Sequence, residues 1–448
     1  MVYWRKASRF RRVCPLLRQD PTFGWRCSAN QADVRPFWLR ALGFYGAGFT
    51  ALYLAGTIGA FTLLRSSGYG VTYANIAWPA AWSEFRTIRA EFFFEKFQTA
   101  YARGDIREGL LSLSLAYNLD SQNYRAGRLL AQLYQGAQPA LSDQVYRRLL
   151  AEHPEEAEAT AQAFFRSLLA RGDFPAIQTL ARDRILATPG RASAWLNALF
   201  FANQRTGDAA VLDELLNATA DARFSLDTHT VLMLAVRLRT TPPEEGRRHL
   251  LASAAGGVSG YPLYFICREL LARGFHQDAL ALLDQESGLE PRDRTALRLD
   301  ALAAGGWNNA RRREVEGLLV APPTAATVEL LSAHLIRRPD PTLLEVLCAR
   351  LDPSPLPAVE ANYPAYLAIF CAAGVNKNEA RLRWASDRLK EIIHTSSRRL
   401  DAVGAWMLAD RQPGGIENQL PSLQPLSLEI SYALLSHYSP APATAGAF

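Results

Sequence analysis

The sequence predicts an all-α chain: one N-terminal transmembrane helix followed by an α-solenoid of about nine helical hairpins. Three observations predict it. Residues 41–64 form a run of 24 positions without a charged side chain. Downstream, Gly-Asp and Pro markers recur at multiples of about 34 residues. The basic residues that make the chain 49 cationic against 43 anionic are gathered at the N-terminal end. With 448 residues, 49% of them hydrophobic and 21% charged, the composition excludes a wholly disordered chain and a disulfide-stapled miniprotein.

Residues 1–40 form a basic N-terminal segment with nine Lys/Arg against Asp20 and Asp33, a balance of +7. The other 408 residues therefore carry −1 of the total +6. A body without excess charge lacks the electrostatic footprint of phosphate-backbone binding, so no nucleic-acid partner is expected. The uncharged run that follows, helical at 1.5 Å per residue, would measure about 36 Å and cross a hydrocarbon core of roughly 30 Å. Residues 41–64 are accordingly read as a retained single-pass anchor. Phe37 and Trp38 precede it, and Tyr69, Tyr73, Trp78 and Trp82 follow, in the interfacial linker 65–84, where amphipathic rings suit the headgroup layer. The basic leader directs residues 1–40 to the cytoplasm and the bulk of the chain to the far side. Within the span, Ala47, Ala51, Ala55 and Gly59 recur every fourth position, a small-residue face through which two membrane helices could pair into a homo-oligomer.

The repeat is read from two markers in fixed relation. Gly104-Asp105 and Gly172-Asp173 are 68 residues apart, Gly207-Asp208 follows after 35, and Gly172 to Gly274 is 102. Pro154 and Pro189 are 35 apart, Pro189 to Pro291 is again 102, and Pro322 and Pro353 follow at intervals of 31. Glycine ends a helix in the left-handed conformation, the adjoining Asp caps the next helix, and proline about half a period later stops it. Each unit is thus a helix, a turn and a second helix, and units that cannot bury their own apolar face stack into a continuous core.

These markers resemble those of the tetratricopeptide repeat (TPR) family. In residues 90–123 the resemblance rests on Gly104-Asp105, Gly109, Leu113, Ala116 and Asp120-Ser121; in 158–189 on Phe164, Phe165, Leu168, Gly172, Asp173, Ile177, Ala181 and Pro189. It recurs at 260–291 with Gly274, Ala279, Leu283 and Pro291, and at 361–390 with Leu367, Ala368, Gly374, Ala380 and Trp384. The resemblance covers a TPR-like solenoid at 85–395 and implies a concave surface lined by the first helix of each unit. On that register the lining is Gln98, Tyr101, Tyr124, Tyr134, Arg166, Asn197, Phe201, Gln204, Arg205, Tyr261, Tyr264 and Arg268, a mix of aromatic, Arg and amide groups suited to peptide capture. The family's paired Lys and Asn clamp is not reproduced. Residues 396–448 are expected to supply capping helices and a flexible tail.

Nothing in the sequence points to catalysis. Cys14, Cys27, Cys267, Cys348 and Cys371 lack metal-site spacing and read as packed thiols, and the seven histidines stand twenty or more residues apart. No cofactor, metal or catalytic residue is assigned, and no Walker lysine motif is present. The function implied by the resemblance is that of a membrane-anchored scaffold binding other proteins or peptides. Arg outnumbers Lys so far (four Lys among 49 basic residues) that a bacterial, GC-rich source is expected, hence an inner-membrane protein in envelope or secretion assembly. The alternative is a membrane-tethered carbohydrate-active enzyme on an α/α-toroid-like domain. Such toroids use hairpins of fifty residues or more with a paired carboxylate site, which the shorter period argues against.

Overall fold

Glycine sets most of the turns from which the architecture follows. Gly104, Gly172, Gly207, Gly274 and Gly306 all take positive φ, between 65° and 85°. At Gly172 the backbone amide reaches back to Leu169 O and that of Asp173 to Leu168 O, closing the first helix; the Asp173 carboxylate then accepts from Ala176 N at 3.2 Å and opens the second. Asp105 repeats this arrangement on Glu108 N. Lys377 fills the left-handed position (φ 54°) of the last such turn, where its Nζ donates to Met407 O and Ala409 O. Gly374, quoted above with that unit, lies inside the preceding helix, so close to Met407 that a Cβ would stand 2.5 Å from its sulfur.

The computed structural model describes residues 12, 14, 17–27, 34–221, 223–285, 288–394, 397–410 and 412–439; nearly all of the expected tail at 439–448 lies outside them. The described residues are almost wholly helical and divide into two units, residues 1–157 and 158–448.

In the first unit a short antiparallel hairpin, β1 (Leu17–Asp20) with β2 (Gly24–Cys27), precedes the long α1 (Val34–Ser66). The hairpin was not expected from the basic composition. Its turn is local chemistry: the Asp20 carboxylate accepts from the amides of Thr22 and Phe23, and Gly24 takes φ 72°. Within α1, Leu39–Ser66 is long and apolar enough to cross a membrane by length and composition. The chain then turns at Gly68 and runs back along α1 as α2 (Tyr73–Ala77), where Thr57 Oγ1 meets Tyr73 OH at 2.9 Å and Tyr53 OH donates to Ala77 O at 2.5 Å. Four helices complete the unit: α3 (Trp82–Ala102), α4 (Ile106–Leu119), α5 (Tyr124–Ala137) and α6 (Pro139–Glu152). Phe97, Leu113, Tyr117, Leu130 and Leu149 form their core. Gly127 lets α5 approach that core, since a Cβ there would sit 2.7 Å from the Tyr117 ring.

The second unit continues the alternation. Its helices are α7 (Ala157–Arg171), α8 (Phe174–Ala187), α9 (Ser193–Thr206), α10 (Ala210–Ala218), α11 (Leu226–Leu238) and α12 (Pro243–Ala255). They are followed by α13 (Tyr261–Ala272), α14 (His276–Asp284), α15 (Pro291–Ala304), α16 (Asn308–Leu318), α17 (Ala325–Arg337), α18 (Pro341–Leu351), α19 (Tyr363–Val375) and α20 (Glu379–Ile393). From α9 onward each odd-numbered helix packs on the next odd-numbered one, and the even-numbered helices cover their outer side, a helical repeat-like architecture. Prolines stand between a second helix and the next first helix, as at Pro154, Pro189 and Pro291, and also begin the element that follows.

Two helices follow the pairs, α21 (Arg398–Leu408) and α22 (Leu428–Tyr438). The first packs on α19 and α20. The second crosses back to α17 and buries Ile430, Ala433, Leu434 and Leu435 almost completely.

Candidate partner-binding groove

First helices of the second unit from α7 to α17, α11 excepted, present one face to a common groove. Residues three or four apart share a helical face, and the lining follows that spacing: Glu158, Gln162 and Phe165 on α7; Ala194, Asn197, Phe201 and Gln204 on α9; Tyr264, Arg268 and Leu271 on α13; Asp293, Ala296 and Asp300 on α15. Arg337 ends α17, and Glu429, Tyr432 and Ser436 of α22 form the remaining wall. The cavity measures about 690 Å³.

Aromatic side chains hold α22 in place. The Tyr432 ring lies 4.3 Å from Phe201 and 6.2 Å from Phe165, and Phe165 meets Trp195 edge-on at 5.9 Å. Arg205 stacks its guanidinium 3.6 Å over the Phe201 ring, its Nη1 donates to Phe201 O, and Nη2 reaches Ser439 O. Burial lowers the Arg205 pKa to about 10, because a cation loses hydration among these rings. On the opposite side, Glu429 of α22 pairs with Arg292 at 2.7 Å.

The deeper wall is a charge network. Asp300 receives Arg337 Nε at 3.0 Å and His334 Nδ1 at 2.7 Å, while Arg311 Nε donates to His334 Nε2 at 2.8 Å. With Nε2 accepting, the imidazole is neutral and its Nδ1–H donates to Asp300. Burial lowers the His334 pKa despite that carboxylate. Burial would raise Asp300, but Arg337 and the His334 bond outweigh it and bring the pKa to about 2. Asp293 differs: burial, with Glu290 and Glu429 nearby, pushes its carboxyl above the ordinary value. Arg268 Nη1 donates to Asn197 Oδ1 at 2.6 Å, whereas its Nη2 and the Tyr261 hydroxyl are buried without a hydrogen-bond partner.

Five of the residues expected to line a concave face come together here: Asn197, Phe201, Gln204, Tyr264 and Arg268. Arg205 grips Phe201 at the rim, and Tyr261 stacks on Tyr264 at 5.9 Å. Arg166 lies on α7 as an exposed residue outside the lining. Gln98, Tyr101, Tyr124 and Tyr134 belong to the first unit, where Gln98 and Tyr101 are exposed and the other two half-buried. Ala47, Ala51, Ala55 and Gly59 are all exposed on α1. Sequence reasoning missed Phe165, Trp195, Asp293, Asp300 and Arg337. The helical spacing from Phe165 and Trp195 was a usable signal for α7 and α9, whereas no local signal marks α22 as part of the wall.

Against known proteins, no family model, curated protein or solved structure matches this chain.

Proposed function

We propose that this protein is a membrane-anchored, TPR-like scaffold that binds protein partners through the groove of its second unit. The observation that carries the reading is the seating of α22. The groove already accepts a helical segment by an aromatic anchor, Tyr432, and an acidic contact, Glu429, and it retains Gln162 and Gln204 on exposed positions of its lining. The unpartnered Nη2 of Arg268 adds a buried donor for which a peptide carbonyl or carboxylate is the complementary group. In this reading α1 crosses the inner membrane of a bacterium once, residues 1–40 stay in the cytoplasm, and the helical pairs form a solenoid on the periplasmic side, serving assembly of an envelope or secretion complex.

The test is photo-crosslinking in the native membrane. A photoreactive amino acid at Gln204 is expected to give a discrete adduct with another protein, and one at exposed Arg147 on α6 of the first unit is not. Adducts of equal intensity from both positions, or from neither, would remove the groove from the binding role.

A membrane-tethered carbohydrate-active enzyme remains the second reading, favoured by Asp293, a carboxyl of raised pKa in an aromatic-lined cavity. Glycan binding abolished by Asp293→Asn would support it over the scaffold.

A further inference from the structure

The return of α2 along α1 decides where a lipid surface can meet the anchor. Tyr53 OH donates to Ala77 O, so residues 77 and 78 stand level with Tyr53, at most about 20 Å along α1 from its end at Ser66, where the chain turns at Gly68. Tyr69, at that turn, packs on Phe92 of α3 with ring centroids 4.3 Å apart. The first turns of α3 therefore climb beside the C-terminal part of α1, between the levels of Tyr53 and Gly68. They carry Glu84, Arg86, Arg89 and Glu91, three of them exposed and Arg89 half-buried. Charged side chains are strongly disfavoured at the centre of a membrane helix. Water must reach down to Tyr53 on this side.

An uncharged tip closes the bottom of this layer. Residues 78–82 read Trp-Pro-Ala-Ala-Trp, and Trp78 and Trp82 are 67% and 56% exposed although each is large and apolar. Trp82 Nε1 donates to Ile76 O, which fixes its ring beside α2. The Tyr69 amide bonds back to Leu64 O, so Tyr69 and Trp78 are about 16 Å apart along the helix; they cannot share a headgroup layer only about 5–8 Å thick, and the aromatic residues after the span do not form one belt.

We propose that residues 78–82, with Tyr53, form a docking surface for the phospholipid headgroup layer, and that the final turns of α1 stand outside the hydrocarbon as a stalk. This rests on the membrane-anchor reading above. Val34 to Tyr53 is 20 residues, about 30 Å, which matches a hydrocarbon core. Most of the large exposed apolar side chains of α1, namely Leu39, Leu42, Phe44, Tyr45, Phe49 and Leu52, fall in that stretch. The two charges of that stretch, at positions 35 and 40, both fall in its first two turns, about 2 and 9 Å from Val34, within reach of the interface for a long cationic stem. The embedded segment is thereby displaced toward the N-terminus from 41–64, and residues 34–40, set in the cytoplasm in the reading above, enter the membrane, leaving 1–33 as the cytoplasmic leader.

Depth-dependent quenching tests the placement. The full chain with Cys14→Ser and Cys27→Ser keeps only thiols that are fully buried, Cys267, Cys348 and Cys371. A bimane probe is attached through Ala80→Cys or Phe44→Cys, and the protein is reconstituted in phosphatidylcholine–phosphatidylglycerol vesicles carrying 5-doxyl or 12-doxyl chains. Quenching at Ala80 is expected to be about twofold stronger with the shallow label, and at Phe44, about 13 Å deeper than Tyr53, about twofold stronger with the deep one. The reverse preference at either position overturns the placement, returning the span to 41–64. Quenching at Phe44 without any at Ala80 overturns the docking surface alone, and the absence of quenching at both removes the membrane anchor itself.

Discussion

Asp300 is the residue on which the groove's deep wall depends. It is the shared acceptor of Arg337 and His334, and through His334 it orients Arg311, whose Nη2 reaches Arg338 O at 2.9 Å. Removing one partner from such a set leaves buried charge uncompensated, so Asp300→Asn should lower stability by about 3 kcal/mol, read from a urea midpoint. The pH dependence carries the same signature. His334 titrates below its ordinary 6.5 in the folded chain, so its contribution is present above that value and lost as pH falls through it. Asp300 falls from 3.8 to about 2, so its contribution, about 2 kcal/mol, is present above pH 3.8 and lost between those values. Two acid steps are expected in the wild type. Asp300→Asn should abolish the lower one and deepen the upper, because the imidazolium loses its counter-ion.

Among the elements, α22 has the largest effect for its length. Its apolar face is buried against α17 while its other side completes the groove, so a chain ending at Gln424 should expose both surfaces at once. Such a truncation should bind a hydrophobic dye several-fold more strongly and melt earlier, whereas Tyr432→Ala should lose the Phe201 contact at a cost of about 2 kcal/mol and keep the fold. Equal dye binding by truncated and full-length chains would show that α22 is dispensable. The contrast with the paired helices explains what was legible in the sequence. Gly172-Asp173 announces a turn because the chemistry of ending one helix and starting the next is held in two adjacent residues. Lys377 could not be read that way, since the carbonyls that anchor it lie thirty residues on, at Met407 and Ala409. The seat of α22 depends on Phe165, Phe201 and Arg292, each more than a hundred residues upstream. The return of α2 was hidden for a related reason: a short uncharged segment has no periodicity to declare which way it runs.

For the molecule as a whole, the charge asymmetry makes the orientation testable. With nine basic residues before residue 41 and a remainder near neutrality, alkaline phosphatase fused to the C-terminus should be active and a cytoplasmic fluorescent reporter dark. The opposite pair of results would place the helical units in the cytoplasm. Five of the twelve residues expected on a concave face fall in the groove, all on α9 and α13, where the first-helix register keeps regular spacing. Arg337, missed on α17, follows a unit shortened to 31 residues, where a register carried forward at 34 drifts off the face; Asp293 and Asp300 on α15 stand at an unshortened interval and were missed as acidic positions that no marker singles out.

An array of stacked hairpins can ordinarily gain or lose a unit, since each touches only its neighbours. Here one terminal helix bridges separate points along the series, touching Phe165 on α7, Phe201 on α9, Arg292 on α15 and the length of α17. Those points hold a fixed spacing only if the hairpins between them are fixed in number. The C-terminal helix acts as a ruler: it permits insertion beyond its ends and forbids it within, which makes the second unit a counted structure rather than an extensible one.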